Sequence, residues 1–216
     1  MPQIVSVCCN FIEARGLVDG VYRLSGISSN IQRLKKTFDD DKIPDLFKDR
    51  QVLQDIHSVS SLVKLYFREL PSPVCTFHLY DQFVEAVRST EDLRLMKLKE
   101  VILQLPDANY NTLEFLLKHL HRISLRHKDT GMTAKNLAIV WAPNLLRSTA
   151  LEAGGVEALQ VCYRKLILEL ILLESSAAAA VLKVFNNSSS SRSRYKSLNQ
   201  VPHSCSQLFI VLTGKV

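Results

Sequence analysis

Asp55-Ile56-His57-Ser58-Val59-Ser60-Ser61-Leu62-Val63-Lys64-Leu65-Tyr66-Phe67-Arg68-Glu69-Leu70-Pro71-Ser72-Pro73 is the stretch whose pattern decides the fold class. Ile56, Val59, Leu62, Val63, Tyr66 and Phe67 recur at steps of three and four, which puts them on one face of a helix. The helix is expected to stop before Leu70-Pro71, because a residue preceding proline disfavours the α region. Lys64 and Arg68 lie four apart and share a face. Two cations at that spacing repel slightly, so helix propensity does not explain them. They form either a solvated basic face or a surface for an acidic partner.

The same period continues outward in both directions. Ile4, Val5, Val7, Cys8, Phe11 and Ile12 form a stripe, with Pro2 suited to a first turn and Gly16 placed as a C-terminal cap. Ser28 or Ser29 is expected to cap a second helix whose buried stripe is Ile27, Ile31, Leu34 and Phe38. Pro44 to Leu53 reads as an irregular connection. Beyond the prolines come helices over Leu79 to Val87 and Thr90 to Leu105. After Pro106, a long helix carries Tyr110, Leu113, Leu116, Leu117, Leu120 and Ile123. Thr133 can cap a helix over Ala134 to about Val140, with Asn136 near its start, Trp141 at its end and Pro143 halting it before Asn144. Val156 to Leu173 reads as the last helix.

This makes an all-α, irregular bundle of about eight helices over residues 1–174, with no credible strand. Seven glycines and seven prolines in 216 residues are too few for a sandwich or barrel with many turns. From residue 175 the composition changes to alanine, asparagine and serine runs with scattered cations. Such a sequence cannot bury a core, so residues 175–216 are expected to be a disordered tail.

The net charge of +6 is uneven. Residues 175–216 hold five basic and no acidic residues, leaving 22 basic against 21 acidic in residues 1–174. The helical part is nearly neutral, which argues against nucleic-acid binding. Five irregularly spaced cysteines, with no C-x-x-C, fit free thiols in a reducing cytoplasm. Leu166 to Leu173 is apolar but is interrupted by Glu169, so no membrane span is expected. Asp39-Asp40-Asp41 reads as a solvated helix end. His119 and His121 are two apart and point to different faces, with no carboxylate or thiol partner evident, so no metal site is expected. No G-x-x-x-x-G-K-[ST] occurs and no cofactor is expected. Ser197 follows Arg194 by three residues and is a candidate for a basophilic kinase.

Gly20-Val21-Tyr22-Arg23-Leu24-Ser25-Gly26 places one arginine between two glycines on a loop between helices. Most arginines are solvated surface residues, and this motif alone is weak. Three stretches in order change that. The segment from Gly16 to Gly26, the run Lys64 to Pro73, and Met132-Thr133-Ala134-Lys135-Asn136-Leu137-Ala138-Ile139-Val140-Trp141-Ala142-Pro143-Asn144-Leu145-Leu146 resemble the RhoGAP domain, the GTPase-activating domain acting on Rho-type small GTPases. Trp141 to Ser148 and Ser58 to Leu62 look most like its Cdc-type and Rac-type activators.

The resemblance implies that Arg23 is an arginine finger, inserted in trans into the nucleotide site of a GTP-bound Rho-family partner, with Rac- or Cdc-type partners favoured. Lys64 and Arg68 would contact the GTPase and brace the finger loop. Asn136 would contact the GTPase beside its active site, and Pro143 and Asn144 would shape the contact surface. It further implies a cytoplasmic protein, recruited by partners to membrane or cytoskeletal sites, with no enzyme activity of its own. The alternative is a scaffold that docks on GTPases without accelerating them. An independent hydrolase is disfavoured, since no Ser-His-Asp, Cys-His or supported carboxylate pair is evident. Family members carry a further helix before the segment that begins at Pro2, so apolar surface is expected to be left uncovered here. Val74 stands where the family more often has leucine.

Overall fold

The computed structural model describes residues 1–15 and 17–149. Among them are nine helices and no strand: α1 (Gln3–Arg15), α2 (Ser28–Asp39), α3 (Arg50–Gln54), α4 (Ile56–Glu69), α5 (Tyr80–Arg88), α6 (Glu91–Leu103), α7 (Asp107–Leu125), α8 (His127–Thr130) and α9 (Ala134–Leu145). The cap expected at Gly16, the helix expected over Val156 to Leu173, the tail and Ser197 lie outside the described residues.

The centre is α4. It packs against α1, α2, α3 and α9, while α7 joins α1 to α9 and α5 pairs with α6. Its expected stripe points inward: Val59, Leu62, Val63 and Phe67 are buried and Ile56 and Tyr66 partly so. The helix ends at Glu69, before Leu70-Pro71 as expected. The chain after it is strapped to the bundle. Asn109 donates its side-chain amide to the Val74 carbonyl at 3.0 Å, the Cys75 N–H reaches the Leu145 carbonyl at 3.3 Å, and the Arg147 guanidinium donates to the Leu70 carbonyl. Cys8, Cys9 and Cys75 are buried free thiols, and burial raises all three, Cys9 and Cys75 to about 12.

Four local expectations are corrected. Neither Ser28 nor Ser29 caps α2. Asp55, 28 residues further on, accepts the Ile27 N–H at 2.8 Å and the Asn30 amide at 3.1 Å through one carboxylate oxygen. Ile27 is 58% exposed and is not part of the buried stripe. Within Pro44 to Leu53, α3 begins at Arg50, capped by the Asp49 carboxylate on the N–H groups of Gln51 and Val52. Pro143 does not halt α9, which runs to Leu145. Proline removes only its own bond, to the carbonyl four residues back, and that residue, Ile139, is exposed to water. The Asn144 side chain donates to the Val140 carbonyl at 2.8 Å and holds the last turn.

Candidate functional site

The two glycines around Arg23 are there for different reasons. Gly20 has φ 69°, where an L side chain is strained, and a Cβ on it would lie 2.6 Å from Leu24 Cγ. Its N–H donates to the Thr130 carbonyl at 2.8 Å, and its own carbonyl accepts both the Arg23 and Leu24 N–H groups at 2.8 Å. Gly26 needs space rather than φ. A Cβ there would sit 2.2 Å from the Ser58 nitrogen, so the loop could not close on the first turn of α4, where its N–H meets Ser61 Oγ at 3.1 Å.

Between them the chain turns sharply. Tyr22 is fully buried at φ 68°, a left-handed conformation that costs a bulky residue about 1–3 kcal/mol. Its ring packs edge-on to Trp141 at 5.0 Å and to His119 at 5.8 Å, and its carbonyl accepts the Lys64 ammonium. These contacts offset the strain. Aromatic pairs of this kind contribute about 0.5–1.5 kcal/mol beyond area burial. The next residue faces outward. The Arg23 side chain is 51% exposed, and its one ionic contact among the described residues is a loose 3.4 Å approach to Asp19, itself well exposed. Such a contact contributes little in water and is easily exchanged for another anion.

The other expected residues gather around this loop to different degrees. Lys64 is half-buried and directed into the loop, not to solvent. Burial, then the neighbouring Arg68 charge, holds its ammonium below the usual range. Arg68, one turn further, is exposed, and no carboxylate among the described residues pairs with it. Asn136 is half-buried at the start of α9. Its backbone N–H is capped by Thr133 as expected, and its side-chain amide donates to the Gly131 carbonyl at 2.9 Å. Gly131 (φ 67°) abuts the residue just before the Gly20–Gly26 loop, since a Cβ there would lie 2.9 Å from Asp19 Oδ1. Asn136 thus stands one short loop away from Arg23. Pro143 is exposed, whereas Asn144 is buried on its own helix.

One group of residues was not expected here. His119, buried on α7, meets the Tyr22 hydroxyl with Nε2 at 2.6 Å and Glu13 of α1 with Nδ1 at 2.6 Å. Arg122 grips both oxygens of Glu13, Nε at 2.8 Å and Nη2 at 2.7 Å. The expectation that His119 has no carboxylate partner is therefore wrong: Glu13 comes from 106 residues away. A signal existed in the sequence. His119 sits three residues after Leu116 and four before Ile123, on a buried stripe, where an imidazole must find a partner. Among the described residues no group of histidines, cysteines or carboxylates is arranged to hold a metal ion, and no helix is long and apolar enough to cross a membrane.

The site is thus a loop held by hydrogen bonds from Thr130, Lys64 and Ser61 that presents one guanidinium outward, with exposed Arg68 one turn beyond Lys64 on α4. It can supply positive charge to an anionic centre on another molecule. The RhoGAP domain family matches residues 2–150. The chain is 56% identical over 163 residues to the GTPase-activating protein CdGAPr of Drosophila melanogaster, and 51% identical over 177 residues to Rho GTPase-activating protein 32 of Xenopus laevis. Those matches cover 74% and 80% of this chain and 9% of each relative, so the chain spans about a tenth of their length. The crystal structure of human Rho GTPase activating protein 15 superposes with a TM-score of 0.76 at 36% identity, covering 81% of this chain and 82% of that one. With helices throughout the described residues, a family match over residues 2–150 and these identities, this chain belongs to the RhoGAP domain family.

Proposed function

We propose that this helical unit docks on GTP-loaded Rho-family GTPases and inserts Arg23 into their nucleotide site, accelerating hydrolysis and ending the signal. The observation that carries this reading is Arg23 itself: exposed, almost free of intramolecular partners, yet fixed at its backbone from both sides. As GTP hydrolyses, negative charge builds on the γ-phosphate oxygens and the leaving oxygen. A guanidinium brought into that water-excluded site stabilises the charge, and its planar fork donates two hydrogen bonds while staying ionised. In the related Ras case such a finger contributes about 10³–10⁵ in rate, or roughly 4–7 kcal/mol.

The neighbouring residues take complementary roles in this reading. Lys64 braces the loop through the Tyr22 carbonyl, Arg68 meets an acidic rim on the GTPase, and Asn136 contacts the GTPase beside the nucleotide. Pro143 forms part of the contact surface, with Asn144 supporting it from beneath. Rac- or Cdc-type GTPases are the favoured partners. The nucleotide, its Mg²⁺ and the group that orients the attacking water belong to the GTPase, so the unit has no hydrolase activity alone. It acts in the cytoplasm, brought by partners to membrane or cytoskeletal sites.

Single-turnover GTP hydrolysis by a panel of Rho-, Rac- and Cdc-type GTPases tests this. The proposal expects acceleration of at least one of them. Saturable binding to a GTP-loaded GTPase with no change in rate would instead identify a non-catalytic scaffold. Turnover of GTP without any GTPase present would contradict both.

A further inference from the structure

We propose that His119, backed by Glu13 and Arg122, is a positioning residue for Arg23: by holding the hydroxyl of Tyr22 it keeps the loop in the left-handed turn that aims the next side chain outward. This rests on the reading of Arg23 given above and goes beyond it to residues that never touch the GTPase.

The hydrogen bonds have a fixed direction. A carboxylate only accepts, so Glu13 takes the proton-bearing Nδ1 of His119, and Nε2 is then left to accept from the Tyr22 hydroxyl. Burial of His119 favours this neutral ring, pushing it below its ordinary range. Arg122 occupies both oxygens of Glu13, so the carboxylate cannot rotate away. The chain from Arg122 to Tyr22 is therefore satisfied at each link, and it joins α1, α7 and the loop across 97 to 109 residues of sequence. Ring packing alone would not do the same. Trp141 packs against the ring, while the His119 bond at its hydroxyl end fixes how deep the ring sits. That depth sets the backbone at Tyr22, and with it the exit direction of Arg23.

A network that only stabilised the core could pass through any buried residue. This one holds the only non-glycine residue of the Gly20–Gly26 loop with positive φ, immediately before the arginine, and the Cys9 thiol of α1 meets the same hydroxyl. Lys64 holds the same residue from the opposite side, at its carbonyl. Tyr22 is thus clamped at both ends, and Arg23 is the next residue along.

The test uses the full chain with Tyr22→Phe, His119→Leu and His119→Gln. Tyr22→Phe keeps the ring and removes only the hydroxyl. A glutamine amide can still donate towards Glu13 and accept from Tyr22. Two quantities are read: amide hydrogen exchange at Arg23 and Leu24, whose N–H groups bond the Gly20 carbonyl, and single-turnover GTP hydrolysis as a function of domain concentration. Tyr22→Phe and His119→Leu are expected to speed exchange at these two amides and to lower the saturating rate about 10- to 100-fold, with the half-saturating concentration unchanged. His119→Gln is expected to recover most of both. Unaltered exchange at Arg23 and Leu24 in Tyr22→Phe overturns the proposal, whatever the activity, as does a lower melting temperature with an unchanged saturating rate. If the wild type accelerates no GTPase while Tyr22→Phe still frees the two amides, the reading of Arg23 fails and the clamp on the loop stands.

Discussion

Around the loop from Gly20 to Gly26, hydrogen bonds reach across the chain: to Thr130 for Gly20, Lys64 and His119 for Tyr22, and Ser61 for Gly26. The α5–α6 pair is held differently. Tyr80, Phe83, Ala86 and Val87 pack on one side and Leu98, Val101 and Ile102 on the other, with Arg94 donating to the Ser89 carbonyl and Lys97 to the Ser89 hydroxyl between the two helices. Its outer face leaves Leu93, Leu95 and Met96 exposed. Apolar packing is non-directional and tolerates small displacements, whereas bonds from several elements converging on one short loop define its position. Such bonds converge on the loop that carries Arg23.

That contrast can be broken at four points, in decreasing order of expected effect. Arg23→Ala is expected to remove about 10³–10⁵ of GTPase acceleration with little change in melting temperature, read by single-turnover kinetics and calorimetry. Loss of fold rather than rate would show that the arginine is structural. Gly26→Ala drives a methyl group into the backbone of α4 and is expected to cost about 1–3 kcal/mol or more in urea denaturation. An unchanged midpoint would mean the loop does not need its close approach.

The third point is the Glu13 carboxyl. Burial raises it, but hydrogen bonds from His119 and Arg122 outweigh burial and hold it at about 2, below the ordinary 4.5. The unfolded chain therefore takes the proton first, so this contribution is present above about pH 4.5 and is lost as pH falls towards 2. Glu13→Gln is expected to flatten the loss of stability across that window relative to wild type. A parallel pH profile would contradict the coupling. At the far end, Met96→Ser on α6 is expected to change stability by less than about 0.5 kcal/mol and to leave GTPase stimulation unaltered. A large effect there would erase the distinction between the two regions.

What the sequence made legible follows from the range of the interactions. Helical periodicity is local, so α1, α4 and α7 could be read from steps of three and four residues, α5 and α6 were also expected as helices, and the Leu70-Pro71 step marks the end of α4. Arg23, Lys64, Arg68 and Asn136 were singled out through motifs, and the fold brings Lys64 onto the Gly20–Gly26 loop and Asn136 against Gly131, which abuts Asp19 just before it. The misses depend on contacts that no local window contains. Asp55 replaces the expected serine cap of α2 from 28 residues away. α9 continues through Pro143 because the one bond that proline forfeits lies on the exposed side of the helix. Glu13 and His119 look like ordinary helix residues until α1 and α7 are packed together. Gly26 makes a close approach to α4 that likewise lies outside any local window.

The central claim is that Arg23 acts on the charge that develops during hydrolysis and not merely on docking. The most direct measurement compares the affinity of wild type and Arg23→Ala for a responsive Rho-family GTPase in two states: GTP-loaded, and loaded with GDP and tetrafluoroaluminate, which mimics the γ-phosphoryl group in transfer. The wild type is expected to bind the mimic state at least about 100-fold more tightly than the GTP state, and Arg23→Ala to lose that gain while binding the GTP state nearly as well. Equal preference for the mimic by both proteins would contradict the claim.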